Sequence, residues 1–259
     1  MMVGGITALL LQMLHPGALA GVWDHSDFRQ DRQGRLRRTA QFIAQTTYGA
    51  TDQAEAAVDR VRRIHARVDG VLPDGTAYRA DDPELLTWVH ACEVWSFLKA
   101  YLRYRDPGFP AAEQDRYLAE AALVAHKLGA RDVPQTRAQL ERYFRALQPA
   151  LRCDQRTREV ARVLLEGPPL SPAMGPFADL FFDAAKDLLP EWARTLHGFH
   201  IPLARRPAIR LGVNGVGRVL RWSLQNSVES RARRRTAHTA DVTSNPDRDT
   251  VDAPKEAQP

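Results

Sequence analysis

Leu9, Leu10, Leu11 and Leu14 open the chain with an apolar stretch that ends near Pro16, and the polar run DHSDFRQDRQG (Asp24–Gly34) follows. Helical spacing returns from about Arg35 to Tyr48, and Gly49 stands where a C-terminal cap glycine belongs. The segment from about Asp52 to Val68 is strongly amphipathic. Ala54, Ala57, Val58, Val61, Ile64, His65 and Val68 fall on one stripe and the charges fall elsewhere, as in a helix with one buried face.

A turn-rich stretch, GVLPDGTAYRADDP, precedes a segment from about Pro83 to Tyr104 that is apolar on almost every side. Such a helix belongs at the centre of a fold. Further amphipathic helices are predicted near 111–128, 134–148 and 155–166. The rigid loop EGPPLSPAMGP leads to helices near 176–189 and 190–198, and a last helix or pair spans 203 to about 230. Strand patterns are scarce and no internal repeat occurs. The expected fold class is all-α, with residues 1–230 forming one domain and 231–259 a polar, aperiodic tail of the composition that stays disordered.

Composition changes this picture little. The 259 residues suffice for a large core, and the net charge of +5 is modest. Arginines cluster towards the C-terminus, including RARRR at Arg231–Arg235, but no aromatic residues interleave with them. They read as a solvated helix end, and no nucleic-acid partner is expected. Only two cysteines occur, Cys92 and Cys153, with no C-x-x-C pair, which points to a reducing, cytoplasmic setting. ITALLLQML lacks the basic segment of a signal peptide and is too short and too broken by Gln12 and His15 to span a bilayer, so it is expected to be a buried helix.

Several chemistries can be set aside. LGVNGVGRVLRW (Leu211–Trp222) resembles a dinucleotide-binding turn, yet Leu220 replaces the third glycine. No second strand or acidic residue follows at the roughly 20-residue spacing of that fold, so the glycines are read as helix-packing positions. Paired Glu-x-x-His motifs for a di-iron site are absent, as are His-Glu-x-x-His and Gly-x-Ser-x-Gly.

What remains is a set of histidines and arginines on apolar faces. His65 lies on the apolar stripe of its helix, His90 lies within LLTWVHACEVWSFL, and His15 ends the first helix. A single such histidine is more often a hydrogen-bonded core residue than a ligand, because burying imidazole is unfavourable unless its nitrogens are satisfied. Arg35, Arg38, Thr39 and Phe42 share one helical face, flanked by Leu36 and Ile43, so the arginines border the core. Buried arginines require an anion. Asp24, Asp27, Asp31 or Asp69 would serve as plain salt-bridge partners, and the propionates of a haem held by a histidine would serve as well.

LLLQMLHPGALAGVWDHSDF, RLRRTAQFI followed by YG, RRIHARVDG and YRADDPELLTWVH occur in this order over roughly Gly4–Tyr104. Together they resemble the catalytic domain shared by the fungal MpaB oxygenase and the bacterial latex clearing protein, a rubber oxygenase. The resemblance implies an all-α, haem-b-dependent oxygenase using dioxygen on an apolar small-molecule or polymer substrate. The rival reading is a non-catalytic helical protein that binds haem or a lipophilic ligand. In the rubber oxygenases an Arg-x-x-Lys-Thr motif lies on the distal side of the haem; Arg35 and Thr39 match its ends and Arg38 replaces its lysine. These three are the candidate catalytic residues. His65 is the candidate iron ligand, and Arg35, Thr39, Phe42 and His90 join it as candidate haem contacts. Trp88, Trp95 and Phe97 are expected to wall the substrate pocket. Beginning so close to the first helix, the chain is expected to lack an N-terminal segment that its relatives possess.

Overall fold

The computed structural model describes residues 1–166, 175 and 177–223. Among these the chain is almost entirely helical: α1 (Met2–Gln12), α2 (Pro16–His25), α3 (Arg32–Tyr48), α4 (Thr51–His65), α5 (Pro83–Tyr104), α6 (Ala111–Leu128), α7 (Arg137–Leu147), α8 (Gln155–Glu166), α9 (Ala178–Leu188), α10 (Glu191–His197) and α11 (Arg206–Ser223). Only a short antiparallel hairpin interrupts them, β1 (Asp69–Val71) on β2 (Ala77–Arg79), with Gly70 opposite Tyr78. The all-α expectation holds. The chain beyond Ser223, including the whole 231–259 tail, lies outside the described residues.

The central position of α5 follows from its composition. It packs against α1, α6 and α9, and its Trp88, Ala91 and Cys92 are wholly buried. The α1–α5 contact is close because Gly4 has no side chain: a Cβ there would lie 2.9 Å from Phe97 Cδ1 and 3.1 Å from Ser96 O. Asp82 starts α5 by accepting hydrogen bonds from the backbone of Glu84 and Leu85, with Pro83 pre-set for the first turn. On α1, Ile6, Leu10 and Leu11 face the core, and Thr7 Oγ1 donates to Ala185 O on α9 at 3.1 Å. No single helix among the described residues is long and apolar enough to cross a membrane.

Two local departures from the sequence pattern matter for the site. Pro16 does more than end the first helix: it begins α2, which turns from α1 by 103°. His15 caps α2, its Nδ1 accepting from Gly17 N at 3.2 Å. Likewise α3 begins at Arg32, one turn earlier than Arg35, because the Asp31 carboxylate accepts from Gly34 N at 2.9 Å and so nucleates the helix. The loop read between Val68 and Pro83 closes as the hairpin, with Gly75 at φ +88° in its turn.

At the opposite end of α5, one carboxylate ties three helices. Asp187 on α9 has no exposed side-chain surface. It accepts from Arg103 Nη1 of α5 at 3.1 Å and Arg210 Nε of α11 at 3.0 Å, and Arg206 Nε lies 3.4 Å away.

Candidate active site

A cavity of about 330 Å³ opens between the end of α1, α2, the first turn of α3, the end of α4, the start of α5 and α8. Its walls are apolar, with Leu9, Met13, Phe28, Leu36, Leu85 and Val160 among them. Its polar and charged groups are Gln12, His25, Arg32, Arg35 and His65. None is acidic. A cavity with apolar walls and two guanidiniums suits a largely apolar ligand that carries negative charge at one edge.

The hydrogen bonds of the two arginines sharpen that point. Arg32 is buried; its Nη1 donates to Leu164 O at 2.8 Å, while Nε and Nη2 are buried without a partner. Arg35 Nη1 donates to Ser26 Oγ. Neither arginine has a carboxylate partner among the described residues, since Asp24 accepts from Tyr78 Oη at 2.8 Å and Asp31 is engaged by Gly34 and Arg38. Burial lowers the pKa of both, and for Arg35 the nearby Arg38 charge adds to it. Arg32, a buried cation with two unpartnered N–H groups and no carboxylate partner among the described residues, is an energetic liability that a bound anion would relieve, and the half-buried Arg35 adds a second charge beside it.

His65 reaches the cavity from the last turn of α4. Burial lowers its pKa, opposed by the Asp81 carboxylate, so the imidazole is neutral at physiological pH and keeps a lone pair for a metal. His25 shares the cavity, and its Nε2 lies 3.0 Å from Asp69 O. A carbonyl only accepts, so that nitrogen carries the hydrogen, and in the neutral ring Nδ1 is the acceptor.

The other residues singled out by pattern lie elsewhere. Arg38 is two-thirds exposed and donates to Asp31 at 3.0 Å, a plain salt bridge, whereas Arg35 has no carboxylate partner among the described residues. Thr39 is exposed and bonds Arg35 O at 3.2 Å, and Phe42 is half-buried outside the cavity lining. The reason is the path of α3. Its first turn touches the body at Leu164, but its main packing partner is α4, so the same helical face leaves the cavity after one turn. His90 is also outside the lining; its Nε2 is buried without a partner, and burial, aided by His126, pushes its pKa down to about 4. Trp88, Trp95 and Phe97 do not wall the cavity. Trp88 and Trp95 set their rings edge-on to Phe144 in the core, and Trp88 Nε1 donates to Gln12 O.

The pattern missed Arg32, which starting the helix at Arg35 leaves in a loop. The signal was present: Arg32 stands three before Arg35 and four before Leu36, the same face continued by one turn. The wall from α8 carried no legible signal, because only tertiary packing brings Val160, Val163 and Leu164 to the cavity.

Fold and site together define a helical protein with an apolar cavity whose ionisable lining, among the described residues, is wholly basic. The chain belongs to the family described as ER-bound oxygenase mpaB/B'/Rubber oxygenase, catalytic domain, which matches residues 1–222. The match extends well past Tyr104, to residue 222 within α11. No curated protein and no solved structure matches the chain.

Proposed function

We propose that the protein is a haem-b-dependent oxygenase that uses dioxygen on an apolar small-molecule or polymer substrate, with the cavity beside Arg32, Arg35 and His65 as its active site. The observation that carries this reading is the donor set: a neutral histidine and two guanidiniums without carboxylate partners, all facing one apolar cavity. Those groups fit a haem. His65 would hold the iron through a ring nitrogen, and Arg32 and Arg35 would take the propionates as charge-assisted hydrogen-bond donors. Bound there, the haem would supply the dioxygen chemistry.

The protein's own part is positioning and exclusion. Leu9, Met13, Val89 and Val163 exclude water and offer an apolar substrate a surface to bury. His25, tethered at Nε2 by the Asp69 carbonyl, presents a polar group with a fixed tautomer to the same space. Gln12 is held by its amide, which donates to Val89 O at 3.1 Å.

The test is spectroscopic. Protein purified from haem-supplemented cells should be red and contain close to one haem b per chain. No C-x-x-C-H motif is present for covalent attachment, so the haem should extract into acidified organic solvent. Colourless protein would overturn the reading. The absence of acidic lining favours a second reading, a carrier for lipophilic anions. Dioxygen uptake by the dithionite-reduced protein with an apolar substrate separates an oxygenase from such a carrier.

A further inference from the structure

Away from the cavity, the segment between α7 and α8 places a thiol beside an imidazole. Cys153 Sγ lies 3.8 Å from His197 Nδ1, and His197 Nε2 lies 2.9 Å from Leu10 O. A backbone carbonyl can only accept, so Nε2 carries the hydrogen. In the neutral ring Nδ1 is therefore the acceptor, and the Cys153 S–H donates to it. The ring is further fixed by stacking on Phe199, with centroids 4.8 Å apart and planes 4° from parallel. A thiol, a base in the right tautomer and a group orienting that base are the parts of an activated nucleophile.

The surroundings select the reagent. His197 lies on the wall of a cleft of about 540 Å³ that also carries Arg158, Arg162, Lys186 and Arg205 together with the carboxylates Glu166, Asp179 and Asp183. Arg162 is paired with Glu159 and Glu166, and Lys186 and Arg205 are paired with Asp183. Arg158 has no carboxylate partner among the described residues; its Nη2 donates to Cys153 O at 3.2 Å, so its charge sits over the thiol. Asp154, the adjacent acid, is occupied by Thr157, whose backbone N and Oγ1 both donate to Oδ1. Cys153 is half-buried, whereas Cys92 is enclosed in the core.

We propose that Cys153 and His197 form a base-assisted thiol pair whose thiol exchanges with small carboxylate-bearing disulfides, which makes Cys153 a site of reversible modification. His197 Nδ1 takes the thiol proton as Sγ attacks one sulfur of the incoming disulfide. A new S–S bond forms to Cys153, the old S–S bond breaks, and the departing thiolate collects the proton from His197. The disulfide is the oxidant, so no other co-reactant is needed. Burial pushes the Cys153 thiol pKa up and the His197 pKa down, so the resting pair is neutral and the proton moves only on attack. The anionic end of the reagent pairs with Arg158.

The experiment uses the full chain and glutathione disulfide, read by intact mass and peptide mapping. One adduct is expected, at Cys153 and not at Cys92, and it should be absent from Cys153→Ser. His197→Gln should slow exchange by about a hundredfold or more, the lower end of the range of general-base assistance. The neutral bis(2-hydroxyethyl) disulfide should react more slowly than glutathione disulfide, and Arg158→Gln should erase that preference. If His197→Gln melts early, the wild-type rate against pH decides. Among the described residues Arg158 and Asp154 are the charges that act on the thiol; assistance by His197 gives a rate nearly flat above neutral pH, while an unassisted thiol climbs tenfold per unit. Exchange at Cys153 no faster than that of free N-acetylcysteine, or a folded His197→Gln protein as fast as wild type, overturns the proposal.

Discussion

The Arg38 guanidinium donates to the Asp31 carboxylate at 3.0 Å, and this contact leaves Arg38 in solvent while Arg35, one turn earlier, faces the cavity. The two arginines of one helix turn therefore have different work. Arg32→Ala and Arg35→Ala should each weaken haem retention by about ten- to a hundredfold, the worth of a hydrogen bond to a charged group at roughly 1.5–3 kcal/mol. Arg35→Lys should recover part of this, since charge is kept and the fork geometry lost. Arg38→Ala and Arg38→Lys should leave retention and the ferric spectrum unchanged. Haem transfer to apomyoglobin measures all five variants, and equal retention throughout would disprove the assignment.

His65→Ala should abolish haem binding, or allow it only when imidazole is added to fill the space. The wild-type ferric protein should be mainly high-spin, because arginine does not deprotonate and Arg38 is outside the cavity. A low-spin ferric spectrum would make His25 the next residue to replace, as the other imidazole in the lining. Full occupancy in His65→Ala would move the iron ligand elsewhere.

Asp187, on α9, neutralises arginines of two other helices at once. Replacing it by alanine leaves Arg103, Arg206 and Arg210 around a buried site with no anion, and should destabilise the fold by about 3–5 kcal/mol, the usual result of breaking a buried ion pair. Urea unfolding followed by circular dichroism checks the value. A loss below about 1 kcal/mol would show that solvent already screens the cluster.

Glu93, on α5, is pushed up by burial to about 7. The folded state thus holds its proton more tightly than the unfolded chain, so its contribution to stability is complete below about pH 4.5 and falls as pH rises towards 7. His90, lowered to about 4 by burial, acts in the opposite sense and loses stability as pH falls from about 6.5 towards 4. Glu93→Gln should therefore raise the melting temperature more at pH 8 than at pH 5, with a gain of order 2–3 kcal/mol at the higher pH. Equal shifts at both values would place Glu93 in contact with water.

The helices were legible wherever one helix carries its own pattern. Pro83–Tyr104 is apolar on most of its faces because it packs against several helices, and 111–128 and 155–166 show their faces directly, so periodicity alone set their limits. His65 and Arg35 were legible for the same reason, as polar groups on faces that must meet the core. Their meeting in one cavity is visible only in the structure. The sequence could not show that Asp31 starts α3 early and brings in Arg32, because a cap depends on where one side chain turns. Nor could it separate Arg35 from Arg38, which share a face by spacing; the divergence of α3 from the body puts one in the cavity and the other in water. Cys153 and His197 stand 44 positions apart, and neither neighbourhood carries a motif. Local periodicity depends on a residue's own helix and can be read along the chain. Which faces meet depends on packing between distant segments, and the tertiary structure alone decided that.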